Sequence, residues 1–284
     1  MSLRLRDALM RELGTLRYEP TEKRIRGMLG EATVIDSTRA RLVWEPKRVV
    51  PTYAFPVEDI DAEIVPAPPP PQKEVDPDSV GVPAMGVPLG EMMVLDPSIP
   101  FAVRTTPGEP VVLRARDGVS EAAGFEPDDD GLDGYVIVDF DDFDAWYEED
   151  ERNVGHPRDP FHRIDIVHST RHVRIEHDGE VLAETSDPYL LFEPPLPVRY
   201  YLPPEDVRAD LLAPSDTRTF CAYKGEAWYL SRDEDADIAW FYPAPLREAG
   251  EVTDRVCFFN ERVDIVVDGT PLERPRTPWS PRTK

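Results

Sequence analysis

Short runs in which apolar and polar side chains alternate recur along the chain, as in Arg24-Ile25-Arg26, Ile164-Asp165-Ile166-Val167 and Val173-Arg174-Ile175. Alternation of this kind puts successive side chains on opposite faces and predicts half-buried strands. The pair Asp178-Gly179 lies between two such runs and is the dipeptide of a tight hairpin turn. Leu29-Gly30-Glu31 turns the earlier run in the same way, before Ala32-Thr33-Val34-Ile35 and Ala40-Arg41-Leu42-Val43-Trp44. Helical spacing is predicted at two places: residues 1–22, where Leu5, Leu9 and Leu13 share a face, and Asp141–Glu151, with Phe143, Trp146 and Tyr147 inward. The acidic run Glu148–Glu151 would end that second helix early, because negative charge is unfavourable at a helix C-terminus.

The pattern repeats. Lys23–Ile60 carries Gly30-Glu31, Trp44-Glu45-Pro46, Tyr53-Ala54-Phe55-Pro56 and Glu58-Asp59-Ile60; Arg171–Val207 carries Gly179-Glu180, Phe192-Glu193-Pro194, Tyr200-Tyr201-Leu202-Pro203 and Glu205-Asp206-Val207. The order continues with Gly108-Glu109-Pro110 against Gly225-Glu226-Ala227, and with Tyr135–Val138 against Arg255–Phe258. A repeated order of elements predicts two like domains. The fold class expected is mainly β: two tandem antiparallel domains with few short helices. The boundaries read as a helical lead-in over 1–22, a first domain over 23–160, a second over 161–268 and a disordered basic tail over 269–284. The proline-rich stretch 67–89 reads as an exposed loop inserted in the first domain, since proline removes ladder donors.

Composition sharpens this picture. The chain has 284 residues, enough for two cores of ordinary size, and its 32 prolines argue against long helices. A net charge of -24 repels phosphate backbones and anionic lipid, so neither nucleic acid nor membrane is expected as a partner. Cys221 and Cys257 do not make a disulfide framework, and no run of 18 apolar residues offers a membrane span. A cytoplasmic monomer or weak dimer is the expectation.

The strings Trp44–Pro56, Phe143–Asp150, Gly155–Pro160, Cys221–Ala227 and Ala239–Pro243 together resemble the bacterial family called domain of unknown function 427, in a tandem two-copy form covering most of residues 23–265. The resemblance implies a β-tent-like fold, of the class shared with methionine sulfoxide reductase B, in which small antiparallel sheets lean together around a cleft. Many β-tent relatives hold zinc on two paired-cysteine turns, and this chain has no such pair. The family is linked by name to nucleotidyl transfer, but the chain shows neither a phosphate-cradling glycine loop nor a pair of strand-borne metal carboxylates.

The sharpest local signal is Cys221, three residues before Lys224 on a turn entering a strand. An ammonium beside a sulfur favours thiolate over thiol; the alternative is that Cys221 packs under the sheet while Lys224 faces water or pairs with a surface carboxylate. Arg104-Thr105-Thr106-Pro107-Gly108 replaces this turn in the first half, without thiol or ammonium. Glu193, beside a strand end, can accept a proton, and with Cys221 and Lys224 it forms the candidate catalytic set. Arg199, Tyr201, Trp228, Trp240 and Tyr242 form a candidate ligand wall, either as ordinary aromatic core or as an apolar cleft with polar tips. Glu45, Arg48 and Tyr53 occupy the comparable part of the first half. His168 and His172 stand four apart on strand-like sequence, which does not bring their rings together, and Asp128–Asp130 lacks the pattern of a calcium loop. No metal or cofactor is predicted. The functions considered are a small-molecule-binding module with its cleft in the second domain, a thiol-dependent or group-transfer enzyme using Cys221 and Lys224, and a protein-interaction scaffold built on residues 67–89 and the acidic face.

Overall fold

The computed structural model describes residues 2, 11–68, 82–83, 93–95, 97–194, 196–232, 235–277 and 279–281. The chain divides into two compact units, residues 1–159 and 160–284. Both are mainly β, with short 3-10 turns between strands. Leu5 and Leu9 of the expected lead-in helix and most of the 67–89 insertion lie outside the described residues. Of the lead-in, Glu12–Gly14 forms one 3-10 turn that buries Leu13.

In the first unit the strands are β1 (Arg17–Pro20), β2 (Ile25–Leu29), β3 (Ala32–Ser37), β4 (Arg41–Trp44), β5 (Thr52–Pro56), β6 (Glu63–Pro66), β7 (Val82–Pro83), β8 (Met93–Val94), β9 (Gly108–Arg114), β10 (Glu121–Pro127), β11 (Tyr135–Val138), β12 (Ala145–Glu148) and β13 (Glu151–Asn153). They make a seven-stranded sheet, β1-β4-β5-β11-β10-β9-β6, a four-stranded sheet, β13-β12-β2-β3, and the pair β7-β8. The second unit contains β14 (Asp165–His168), β15 (Val173–His177), β16 (Glu180–Thr185), β17 (Tyr189–Phe192), β18 (Arg199–Leu202), β19 (Ala213–Cys221), β20 (Gly225–Arg232), β21 (Asp235–Phe241), β22 (Val256–Phe258), β23 (Asp264–Val267) and β24 (Thr270–Pro271). Its sheets run β14-β17-β18-β22-β21-β20-β19 and β16-β15-β23-β24. Leaving aside the β7-β8 pair, the strands of the two units follow one another in the same order through their large and small sheets.

Alternation along the strands sorts each large sheet into two faces. In the second unit Leu190, Tyr200, Leu202, Val256 and Phe258 point toward the small sheet and pack with Val173, Ile175, Ile265 and Val267. Their neighbours Leu191, Tyr201 and Cys257 point the other way and build a separate cluster with Trp240, Tyr242 and Phe259. That outer face carries the candidate site.

The helix expected over Asp141–Glu151 is corrected by the structure: Ala145–Glu148 and Glu151–Asn153 are paired strands. Glu149 takes a left-handed φ of 53° at the turn between them, which an uninterrupted helix does not allow. Trp146 is the physical reason, since its ring packs against Phe143 at 4.3 Å and Tyr53 at 5.1 Å, and its indole donates to the Phe140 carbonyl. Gly27 lies opposite Trp146, and a Cβ there would stand 2.6 Å from the indole. Gly27→Ala is therefore expected to cost about 1–3 kcal/mol by overpacking, read as a lower urea midpoint for the first unit; an unchanged midpoint contradicts this account of the strand pairing.

Beyond residue 268, where a disordered tail was expected, β24 pairs with β23, Arg274 bonds Asp264 at 3.0 Å, and the Thr277 hydroxyl donates to Glu261 at 2.6 Å.

Candidate functional site

Cys221 closes β19 and faces Gly225 at the start of β20, so Ala222-Tyr223-Lys224 is a three-residue hairpin loop. Gly225 has a φ of 97°, and a side chain there would press on the backbone at Leu246, whose amide donates to the Lys224 carbonyl at 3.0 Å. With the loop fixed from below, the Lys224 side chain turns inward and is 8% exposed. Its ammonium donates to Glu193 Oε2 at 2.5 Å and interacts electrostatically with Cys221.

Glu193 follows β17 by one residue, on the same side as Leu191 two positions earlier. Its second oxygen lies 3.0 Å from His162 Nε2. An ionised carboxylate only accepts, so His162 carries its proton on Nε2. The His162 ring rests 4.5 Å from Tyr223 and keeps about a quarter of its side chain in contact with solvent. A hydrogen-bonded chain therefore runs from Lys224 through Glu193 to His162, beginning on the same turn as the part-exposed Cys221.

Charge in this chain is held firmly. Burial pushes the Glu193 carboxyl upward, but the Lys224 charge and the His162 and Lys224 hydrogen bonds outweigh it and bring the group from 4.5 to about 2. Burial likewise disfavours the Lys224 charge, yet Cys221 and Glu193 together hold its pKa above the ordinary 10.5. Cys257, fully buried on β22, is different: burial pushes its thiol far above the usual range.

The aromatic wall of the sequence reading divides. Tyr201, Trp240 and Tyr242 are buried together, and the Trp240 indole donates to Tyr201 Oη at 3.2 Å. Trp228 stands apart: its neighbours Ala227 and Tyr229 point into the cluster, while Trp228 faces the opposite way beside Phe241, under the Arg218 guanidinium at 4.3 Å. Arg199, expected at a rim, is buried and forms two parallel bonds of 2.8 Å with Glu261, and a third to Asn260 at 3.1 Å. Trp240, Phe259 and Trp279 surround its guanidinium at 5.4, 5.9 and 5.6 Å.

His162 and Glu261 were missed as partners from sequence, because neither has a local pattern that points at Glu193 or Arg199. The first unit holds a related pair: buried Glu45 accepts from Arg104 at 3.1 Å and from the Thr105 amide at 3.0 Å. Arg48 there is also buried and donates to the carbonyls of Ile99, Pro100 and Val103, bracing the loop beside it. Tyr53 instead belongs to the inter-sheet core, donating to Glu148 at 2.7 Å. Among the described residues, no three His, Cys, Asp or Glu side chains converge as metal ligands.

Residues 165–269, the body of the second unit, match the family described as Domain of unknown function (DUF427). No curated protein matches the chain. Among the described residues, no helix is long and apolar enough to cross a membrane.

Proposed function

We propose that residues 160–284 form a small-molecule site whose reactive contact is the Cys221 thiol, with the Lys224 ammonium beside it to stabilise negative charge that develops on sulfur. One observation carries this reading: Lys224 is buried on the turn that leaves Cys221, 2.5 Å from the Glu193 carboxylate, while Cys221 itself is part-exposed. A buried ammonium held by a carboxylate beside a sulfur is a fixed positive charge at the place where negative charge develops on sulfur. Glu193 serves as a positioning residue that keeps Lys224 charged, and His162 links that carboxylate to solvent. Tyr201, Trp240 and Tyr242 form the rigid apolar floor behind the pair rather than an open cleft. Arg199 supports that floor, and Trp228 lies outside the site. The first unit pairs Glu45 with Arg104 but has no sulfur there, which favours a binding or architectural role for residues 23–159.

Iodoacetamide at neutral pH, followed by peptide mass spectrometry, tests the reading. Cys221 is expected to be alkylated in the folded protein while Cys257 stays free. In Lys224→Met/Glu193→Gln, which removes both buried charges together, Cys221 is expected to react about tenfold more slowly. Equal rates in the two proteins would overturn the role given to Lys224.

A further inference from the structure

Polar groups continue from Cys221 along one face of β19, β20 and β21. Thr219, two residues before Cys221, shares a hydrogen bond of 2.7 Å with the Tyr229 hydroxyl. Tyr229 stacks on Phe259, and interacts electrostatically with Cys221, Asp237 and Arg262, which places these groups in one neighbourhood. Two residues further back, the Thr217 hydroxyl donates to Asp237 Oδ2 at 2.8 Å. The strip therefore starts at sulfur, passes three hydroxyl groups and ends at a carboxyl group.

Asp237 is built as a receiving group. Its backbone takes a left-handed φ of 56°, held by its amide donating to the Ser231 hydroxyl at 3.0 Å and by Arg262 donating to its carbonyl at 3.0 Å. Its Oδ1 is buried and has no hydrogen-bond partner among the described residues. A buried acceptor left unpaired costs about 1–3 kcal/mol, and strained backbone of this kind collects at sites that meet ligands. Thr217 and Cys221 are four residues apart on β19, a separation of about 13 Å along a strand.

We propose that the Cys221 site takes an elongated small molecule with a carbonyl electrophile at one end and an amino group at the other, the amine received by Asp237 Oδ1 and the connecting chain lying along Thr219 and Tyr229. This rests on the thiol reading above and adds the class of substrate. The chemical step is an addition: sulfur forms a bond to the electrophilic carbon, the π pair moves toward the carbonyl oxygen, and the proton lost by the thiol is taken up by the adduct. Nothing leaves, and no electrons are gained or lost overall.

Two maleimides of matched length, one ending in a primary amine about 10 Å from the ring and one ending in a methyl group, probe this in the full chain; thiol addition across their conjugated double bond follows the same balance. The amine-bearing probe is expected to label Cys221 about tenfold faster, the size of one good charge-assisted hydrogen bond. Asp237→Asn suits the left-handed backbone and is expected to abolish the preference without changing the rate of the methyl probe; Asp237→Gly, equally at ease there, gives the same result if Asn perturbs folding. Glu205→Gln removes an exposed charge elsewhere and is expected to leave the preference intact. Equal labelling of the natural protein by both probes, a preference that survives in both Asp237 variants, or a preference lost in Glu205→Gln would each overturn the assignment of substrate class while leaving Cys221 reactive. Failure of both probes to modify Cys221 would instead bring down the thiol reading beneath it.

Discussion

Lys224→Met is expected to destabilise the second unit by about 3–5 kcal/mol at neutral pH, because it leaves the Glu193 carboxylate buried without its cation. Methionine fills much of the same volume, so the effect is chiefly electrostatic. The double change Lys224→Met/Glu193→Gln is expected to recover most of the loss, since replacing both members of a buried pair by neutral groups is far cheaper than removing one. Urea unfolding of the natural protein, the single and the double variant measures this. A single variant as stable as the natural protein would show that the buried contact contributes nothing to the fold.

The same pair sets a pH dependence. Glu193 has a folded value near 2 against 4.5 when free, so its contribution is fully present above about pH 4.5 and is lost as pH falls toward 2. Lys224 is shifted upward, so its contribution is full below pH 10.5 and is lost only as pH rises beyond that. Between these limits both groups stay ionised. Stability measured from pH 5 down to about 2 in Glu193→Gln and in the natural protein should converge over the acid window.

How much of this was legible in the sequence follows from the range of the interactions involved. Local signals carried well: Asp178 and Gly179 take φ values of 50° and 78°, as their hairpin turn requires, and the alternation in Arg199–Leu202 sorts its side chains to two faces of the sheet. Cys221 and Lys224 share one turn, so their proximity could be read from spacing alone. The helix read into Asp141–Glu151 failed because the same residues satisfy an apolar face at either period, and the packing of Trp146 across Gly27 decides between them. Contacts such as Lys224 with Glu193 or Arg199 with Glu261 depend on strand order: β18, β22 and β21 lie between β17 and β20 in the large sheet, and no local pattern encodes that. Asp237 was likewise silent in sequence, since an unpaired oxygen becomes visible only when its surroundings are built. The pairing of Arg104 with Glu45 shows the same point in the first unit, where the guanidinium stands in for the ammonium that sequence matching found missing.

Arg199→Met is expected to have the second large effect on stability, again about 3–5 kcal/mol, by stranding Glu261. Glu261 accepts both guanidinium bonds and is itself fully shielded, with Thr277 as its other side-chain donor. Burial pushes the Glu261 carboxyl up, and the Arg199 bonds reverse that to a net downward shift, so without arginine the carboxylate loses the group that keeps it ionised. The loss should also be felt beyond the sheet. Trp279 lies over the Arg199 guanidinium, its carbonyl accepts from Arg262 at 3.3 Å, and Thr277 donates to Glu261, so the segment around Thr277 and Trp279 is fastened in part to the Arg199–Glu261 pair. Limited proteolysis near residues 274–281 is expected to become faster in Arg199→Met than in Lys224→Met, even when both are studied under conditions of equal global stability. Equal cleavage in the two variants would separate the C-terminal segment from Arg199. Faster cleavage confined to Arg199→Met would establish that the two buried ion pairs on this face act on different parts of the unit: one holds the charge beside Cys221, and the other ties the segment of Thr277 and Trp279 to the sheet.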